Sequence, residues 1–358
     1  HSLGLPHNMK ASSSYTVAQL RDPEWTKANG TAPSIMDYAR FNYVAQPGDG
    51  AALMARIGPY DHFAIEWGYR QYADDEAQEK AMRVMFESQI TNPMFRYGGG
   101  SSVDPTAQTE DLTGDGVEAT RLGLLNLERV ASYLVEATSQ PGEDYSLLQQ
   151  EYDALISQWN RELGHVVTIV GGIEQINLYY GDADQRFFPI SADRQREAAT
   201  FLIDNAFTTP EMFIDRDIVA RLTAGGVADR VLSAQSRVLR QMMSRSRIAR
   251  MADAVESEDD AYTPSQLLDD ITTGIFGEPD AMKKSVDVYQ RNLQRAYVTR
   301  LIDEMESASS TSDLPGLARA QLVKLSSVGA MAAGAKNDAT AAHYSDLQAR
   351  IEKALDVD

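Results

Sequence analysis

The chain has 358 residues, 43% of them hydrophobic, which is enough for two or three domains with a sizeable core. Its net charge of -19, from 33 basic and 52 acidic side chains, argues against nucleic acid or anionic membrane as a partner, because both need basic surface. Cysteine is absent, which excludes disulfides and thiolate metal ligands, and no apolar run is long enough to span a bilayer.

The first stretch, His1-Ser2-Leu3-Gly4-Leu5-Pro6-His7, reads H-x-x-G-x-x-H. This is the second half of the longer zinc motif H-E-x-x-H-x-x-G-x-x-H. In that motif the first two histidines lie one helical turn apart and face the same Zn²⁺. A glycine then ends the helix, because it takes the positive φ of a sharp reversal without strain. Here Gly4 makes the reversal. His1 and His7 become two of three protein ligands, with a fourth position left open for water. Pro6 stiffens the approach to His7.

Residues 10–31 are polar and serine-rich, with Asp22-Pro23 and Asn29-Gly30 as turn signals, and read as a surface connection. Ser34-Ile35-Met36-Asp37-Tyr38 follows and has the form S-x-M-x-Y of a Met-turn. A short helix is expected over 51–57. The Gly58-Pro59-Tyr60-Asp61 signal starts another over 62–69, with Asp61 as a capping residue and Tyr60, Trp67 and Tyr69 as core. Residues 74–90 read as an amphipathic helix, and the glycines at 98–100 as a loop.

Asp111-Leu112-Thr113-Gly114-Asp115-Gly116 resembles a calcium loop, but an EF-hand needs Asp or Asn at Thr113 and Glu at Leu122. It reads instead as a turn feeding a helix over 117–137. Helical spacing continues over 145–171. Residues 173–180 suit a short strand or hairpin arm. Helices are then expected over 192–206, 228–254, from Thr263-Pro264 onward, and over 282–305, 314–333 and 341–355. The breaks between them are an acidic linker at 256–260, a polar stretch at 309–313 and a stop at Gly334. His62 and His165 are read as non-ligands.

Taken together, His1 to His7 and Ser34 to Tyr38 resemble the metzincin clan of zinc metallopeptidases. The likeness extends to a bacterial zinc-dependent metalloprotease group with a long helical C-terminal region. It is carried by Gly58-Pro59-Tyr60-Asp61-His62-Phe63-Ala64-Ile65-Glu66-Trp67-Gly68-Tyr69, by Asn160-Arg161-Glu162-Leu163-Gly164-His165-Val166-Val167, and by Arg291-Asn292-Leu293-Gln294-Arg295-Ala296-Tyr297-Val298. The resemblance implies a mainly α fold with little strand, in which a lower catalytic subdomain with the Met-turn is followed by a large helical region. The expected division is 1–105, the C-terminal part of the catalytic domain, then helical regions 106–255 and 256–358.

The resemblance also implies roles. Zn²⁺ is the expected cofactor, held by His1 and His7. Met36 forms a hydrophobic floor beneath the metal without ligating it. Tyr38 either donates a hydrogen bond to the tetrahedral intermediate or is a packing tyrosine. Asp37 hydrogen-bonds the turn or a histidine. The motif's first histidine, and the glutamate that serves as general base, are expected upstream of His1 in the parent protein. This segment alone is therefore expected to be inactive. The expected partners are a peptide or protein substrate and the upstream catalytic subdomain of the same protein. Family members generally carry export signals, which implies a place outside the cytoplasm. The alternatives are a non-catalytic helical binding or scaffold module, a degenerate peptidase homologue, or another metal hydrolase with the same ligands.

Overall fold

The computed structural model describes residues 1–256, 260–277, 285–307, 312–327 and 335–356. Among these the chain is mainly helical, with two short strands. It divides into two compact units. One comprises His1–Arg129 and Gly172–Ile190, and the other Val130–Gly171 and Ser191–Asp358.

The first unit opens with loops and two short helices, α1 (Val17–Arg21) and α2 (Pro23–Asn29). Thr16 and Gln19 form a capping box at the start of α1. Asp22 caps α2, whose first residue is Pro23. The surface connection expected over 10–31 is thus a folded element. Tyr15 and Leu20 are buried there with Tyr43, Val44, Leu112 and Leu122, and the Trp25 ring meets Tyr15 edge-on at 5.5 Å. The helix expected over 51–57 does not form, because its backbone groups bond elsewhere. The Leu53 carbonyl accepts from the Asn42 amide (2.9 Å), and the Ala52 amide donates to Thr26 Oγ1 (2.8 Å).

Helices α3 (Pro59–Tyr69) and α4 (Asp75–Thr91) follow. Helix α5 (Gly116–Thr138) begins in this unit. Antiparallel strands β1 (Ile173–Gln175) and β2 (Phe187–Pro189) pair Ile173 with Pro189 and Gln175 with Phe187, so the strand expected over 173–180 forms in its first three residues.

The second unit contains α6 (Ser146–Ile169), α7 (Ala192–Ala206), α8 (Arg216–Leu222), α9 (Val227–Met242), α10 (Arg245–Val255), α11 (Pro264–Phe276), α12 (Val288–Met305), α13 (Leu314–Leu325) and α14 (Asp338–Leu355). Helix α6 packs on α7 and α9, and α12 on α9, α13 and α14. Leu163, Leu202, Val238, Leu293, Leu301 and Leu347 are fully or almost fully buried there. The single helix expected over 228–254 is two helices. Ser244 takes an extended backbone, and its carbonyl accepts from the amides of Arg247 and Ile248 to start α10. The break lets the buried Arg247 guanidinium donate to the Val170 carbonyl just beyond the end of α6. Residues 257–259 of the acidic linker, 282–284 of the helix expected from 282, 309–311 of the polar stretch, and 328–334 with the Gly334 stop lie outside the described residues. Among the described residues, no helix is long and apolar enough to cross a membrane.

Candidate metal centre

The His1–His7 stretch is a tight reversal. Gly4 has φ +76°, and its amide donates to the His1 carbonyl at 2.9 Å, as the expected turn requires. The reversal brings the two imidazoles together edge-on, with ring centroids 4.5 Å apart. Each ring is oriented through Nδ1. That of His1 bonds the Leu5 carbonyl (3.0 Å), and that of His7 bonds the Met36 carbonyl (3.2 Å). A proton on Nδ1 leaves the lone pair on Nε2, which is the tautomer that binds a metal.

The Met36 carbonyl also accepts from the Asn8 amide at 2.9 Å, so one carbonyl holds both the His7 ring and the backbone of the residue after it. The Met36 side chain is buried. Tyr38 is 45% exposed and presents its ring edge-on to His7 at 5.2 Å. Asp37 is buried and accepts from the Ser12 amide, in the segment just after His7, rather than from a histidine. Burial pushes its carboxyl up to about 7, against the opposing pull of the Ser12 amide. Asp111 is also buried, and its carboxyl is raised well above the usual range by burial and then by the charge of Asp37.

The residue that organises the turn at Ser34–Tyr38 is Asp61. Its carboxylate accepts from Ser34 Oγ (2.7 Å), from the Ile35 amide (3.1 Å) and from the Gly58 amide (2.8 Å). Ser34 Oγ in turn accepts from the Met36 amide at 2.9 Å. The cap expected at Asp61 is therefore present as a back-bond from the third residue of α3 to Gly58, and the same carboxylate clamps the turn that carries Met36. The Tyr60 amide adds a bond to the Pro33 carbonyl (3.1 Å). Gly58 lies so close to that carbonyl that a Cβ would come within 2.2 Å of it. The G-P-x-D spacing carried a readable signal for the cap, but none for the clamp, which depends on a contact 27 positions away.

A second polar network holds the chain after His7. The Asn8 side chain donates to the Arg96 carbonyl (2.9 Å) and accepts from the Gly98 amide (3.0 Å). Lys10 is buried. Its ammonium donates to Asp104 (2.9 Å) and to Thr106, and lies 3.5 Å from Glu174. The glycine-rich loop is thereby tied to the chain just after His7. A paired buried charge of this kind is costly to break from one side.

Tyr60 is buried as expected, but Trp67 and Tyr69 are not core residues, being 36% and 57% exposed. Both lie on the outer part of α3. The Tyr69 phenol donates to the Leu3 carbonyl (2.9 Å), so it braces the His1–His7 reversal. His62 is exposed on α3. His343 is buried in α14, where it bonds Gln294 (2.7 Å), and His165 is buried in α6. Among the described residues, no cluster of three or more His, Asp or Glu side chains is placed to hold a metal. His1 and His7 lie ring against ring with each Nδ1 held by a backbone carbonyl, an arrangement compatible with ligation through Nε2.

A family model described as Met-zincin matches residues 1–282. No curated protein matches the chain, and no solved structure does.

Proposed function

The chain belongs to the Met-zincin family, and from that premise we propose that it forms the C-terminal part of a zinc endopeptidase, with His1 and His7 as two of the metal's three histidines. The observation that carries this reading is the pair of imidazoles 4.5 Å apart, each turned through Nδ1 by a backbone carbonyl. In the full motif H-E-x-x-H-x-x-G-x-x-H, the remaining histidine and the general-base glutamate come before the residue matched by His1.

Zinc, when bound, supplies Lewis-acid chemistry that polarises the scissile carbonyl and lowers the pKa of a water. The chain's own residues orient and brace. Asp61 holds the Met-turn, and the Met36 carbonyl fixes the His7 tautomer. Tyr38 lies beside His7 with its ring partly exposed, which supports a role for its phenol as donor to the oxygen that gains charge as the peptide bond is attacked. The substrate is a peptide or protein chain.

The test is hydrolysis of casein by the protein carrying the complete motif. Cleavage is expected to be lost to a chelator, restored by zinc and abolished by His7→Ala. A second reading, a degenerate homologue without catalysis, is favoured by the two-histidine set found among the described residues. It prevails if the complete protein binds no zinc and shows no chelator-sensitive cleavage.

A further inference from the structure

Ser12, Asp37 and Asp111 come from three separate segments and meet inside the first unit. The Ser12 amide donates to Asp37 Oδ2. The loop that begins at Asp111 lies against the same segment, since a Cβ on Gly114 would come within 2.9 Å of the Ser13 carbonyl oxygen. The charge of Asp37 acts on Asp111, and the Ser12 hydroxyl acts on both carboxyls. Ser12 is fully buried, and Asp37 and Asp111 are each 3% exposed.

One side-chain oxygen of each residue has no hydrogen-bond partner: Ser12 Oγ, Asp37 Oδ1 and Asp111 Oδ1. Buried polar atoms ordinarily find partners, so three orphaned oxygens in one place call for an explanation. The two acids also have no counter-charge. The Lys10 ammonium is engaged by Asp104 and lies 3.5 Å from Glu174, and the Arg40 guanidinium is engaged by Glu110. Among the described residues, no basic side chain pairs with Asp37 or Asp111.

Two neighbouring carboxylates away from water repel each other and lose their hydration. A shared proton would remove one charge and leave the Ser12 oxygen orphaned. A divalent cation would answer both charges and engage all three oxygens. The donors are oxygen only, which suits a hard cation rather than one that prefers imidazole or thiolate. Asp115, the other acid of the calcium-like stretch, is used elsewhere, because its Oδ1 accepts from the Glu118 amide at the start of α5 (3.2 Å). Asp111 therefore works with residues distant in sequence, and the stretch is no EF-hand.

We propose that Ser12, Asp37 and Asp111 form a buried calcium site that ties the turn at Ser34–Tyr38 and the loop before α5 to the chain just after His7. Calcium takes about six to eight oxygens, so backbone carbonyls or waters supply the rest. The site is separate from His1 and His7, and it does not rest on the peptidase reading.

The experiment titrates this chain with calcium by calorimetry in metal-free buffer, with magnesium as the comparison, and reads the thermal midpoint at a pH above about 7, where Asp37 ionises. One calcium per chain is expected, with a midpoint rise that EGTA reverses. Magnesium, which demands stricter geometry, should bind at least roughly tenfold more weakly. Asp37→Asn and Asp111→Asn should each abolish binding and reverse the order of stability. Each should melt above the parent chain without calcium, because a buried charge is gone, and below it with calcium. Ser12→Ala, which removes one neutral oxygen and keeps the backbone bond to Asp37, should weaken binding by roughly tenfold and serves if the carboxylate variants fail to fold. Asp115→Asn should leave binding unchanged.

No saturable calcium binding, with an unmoved midpoint, overturns the site and leaves a buried acid pair. Calcium binding that survives both Asp37→Asn and Asp111→Asn, as loose association with an acidic surface would, also overturns it. Loss of binding in Asp115→Asn equal to that in Asp111→Asn would confine the cation to the 111–116 loop and overturn the three-segment site.

Discussion

The two units are held by different physics. The helical unit is an assembly of amphipathic helices whose apolar stripes meet, with Leu202, Val238, Leu293 and Leu347 at its centre. The unit that carries the candidate metal centre has a small core around Tyr43 and Leu112. Its long loops are positioned by buried polar groups: Asp61 on the Met-turn, Asn8 on the glycine-rich loop, and Lys10 on Asp104. Apolar packing tolerates substitutions of similar volume. A buried polar clamp does not, because removing one partner strands the others without water. The unit with the candidate metal centre should therefore fail at single polar residues and the helical unit at single large apolar ones.

Substitutions in each unit can break this contrast. Leu293→Ala, in the centre of α12, should have the largest effect, about 2–5 kcal/mol. Hydrogen exchange should localise the loss to the helical unit and leave the amides of the His1–His7 stretch as protected as before. Equal loosening of both units would contradict the contrast.

Asp61→Ala should cost about 2–3 kcal/mol, since it leaves Ser34 Oγ and the Ile35 and Gly58 amides unpaired in a buried place. Exchange should now rise in the Met-turn. Asp61→Asn should lie between, because an amide oxygen replaces only part of the carboxylate's accepting capacity. A neutral Asp61→Ala variant would show that the turn is held by packing instead.

pH sharpens the same point. The Asp37 carboxyl sits at about 7 in the folded chain against an ordinary 3.8, so burial favours its protonated form. A raised folded value means that the contribution to stability is complete below about 4 and lost as pH rises through about 7. The thermal midpoint of the unit with the candidate metal centre should fall across that window. Asp37→Asn should flatten the decline, and Asp111→Asn should remove part of the remainder, since the two charges interact. A midpoint unchanged across the window in the parent chain would contradict burial of an acid there.

Tyr38→Phe should have the smallest effect on the fold, leaving the melting midpoint unchanged. Its expected effect is on rate. In the complete zinc-loaded protein, kcat should fall by roughly 10²-fold with KM little altered, the pattern of a donor used only in the transition state. A rise in KM at constant kcat would assign Tyr38 to packing or substrate contact.

The same contrast explains what could be read from the amino acids alone. Helices α4, α5, α6 and α7 follow from apolar spacing near 3.6 residues, and β1 opens the stretch where alternation suggested a strand, while its partner β2 carried no such signal. The turn at Gly4 was legible because the local conformation demands a glycine. The stretch 51–57 has helix-compatible residues, but its backbone bonds Asn42 and Thr26, partners that no local pattern reveals. Residues 10–31 look polar and exposed because most of their buried side chains are small or polar, among them Lys10, Ala11, Ser12, Thr26 and Thr31, and only Tyr15 and Leu20 are large and apolar. The junction between α9 and α10 depends on one serine taking an extended backbone within a helical pattern. At the candidate site, His1, His7, Met36 and Tyr38 were visible as motif letters. Asp61 was visible only as a cap, since its grip on Ser34 and Ile35 exists only after folding.

The measurement that tests the central claim most directly is zinc titration of this chain by calorimetry, alone and as His1→Ala and His7→Ala. Weak one-to-one binding is expected, from two histidines of a three-histidine set, and it should be lost in either variant while the helical circular dichroism stays unchanged. Micromolar or tighter zinc binding that survives both substitutions would place the metal elsewhere and contradict the account.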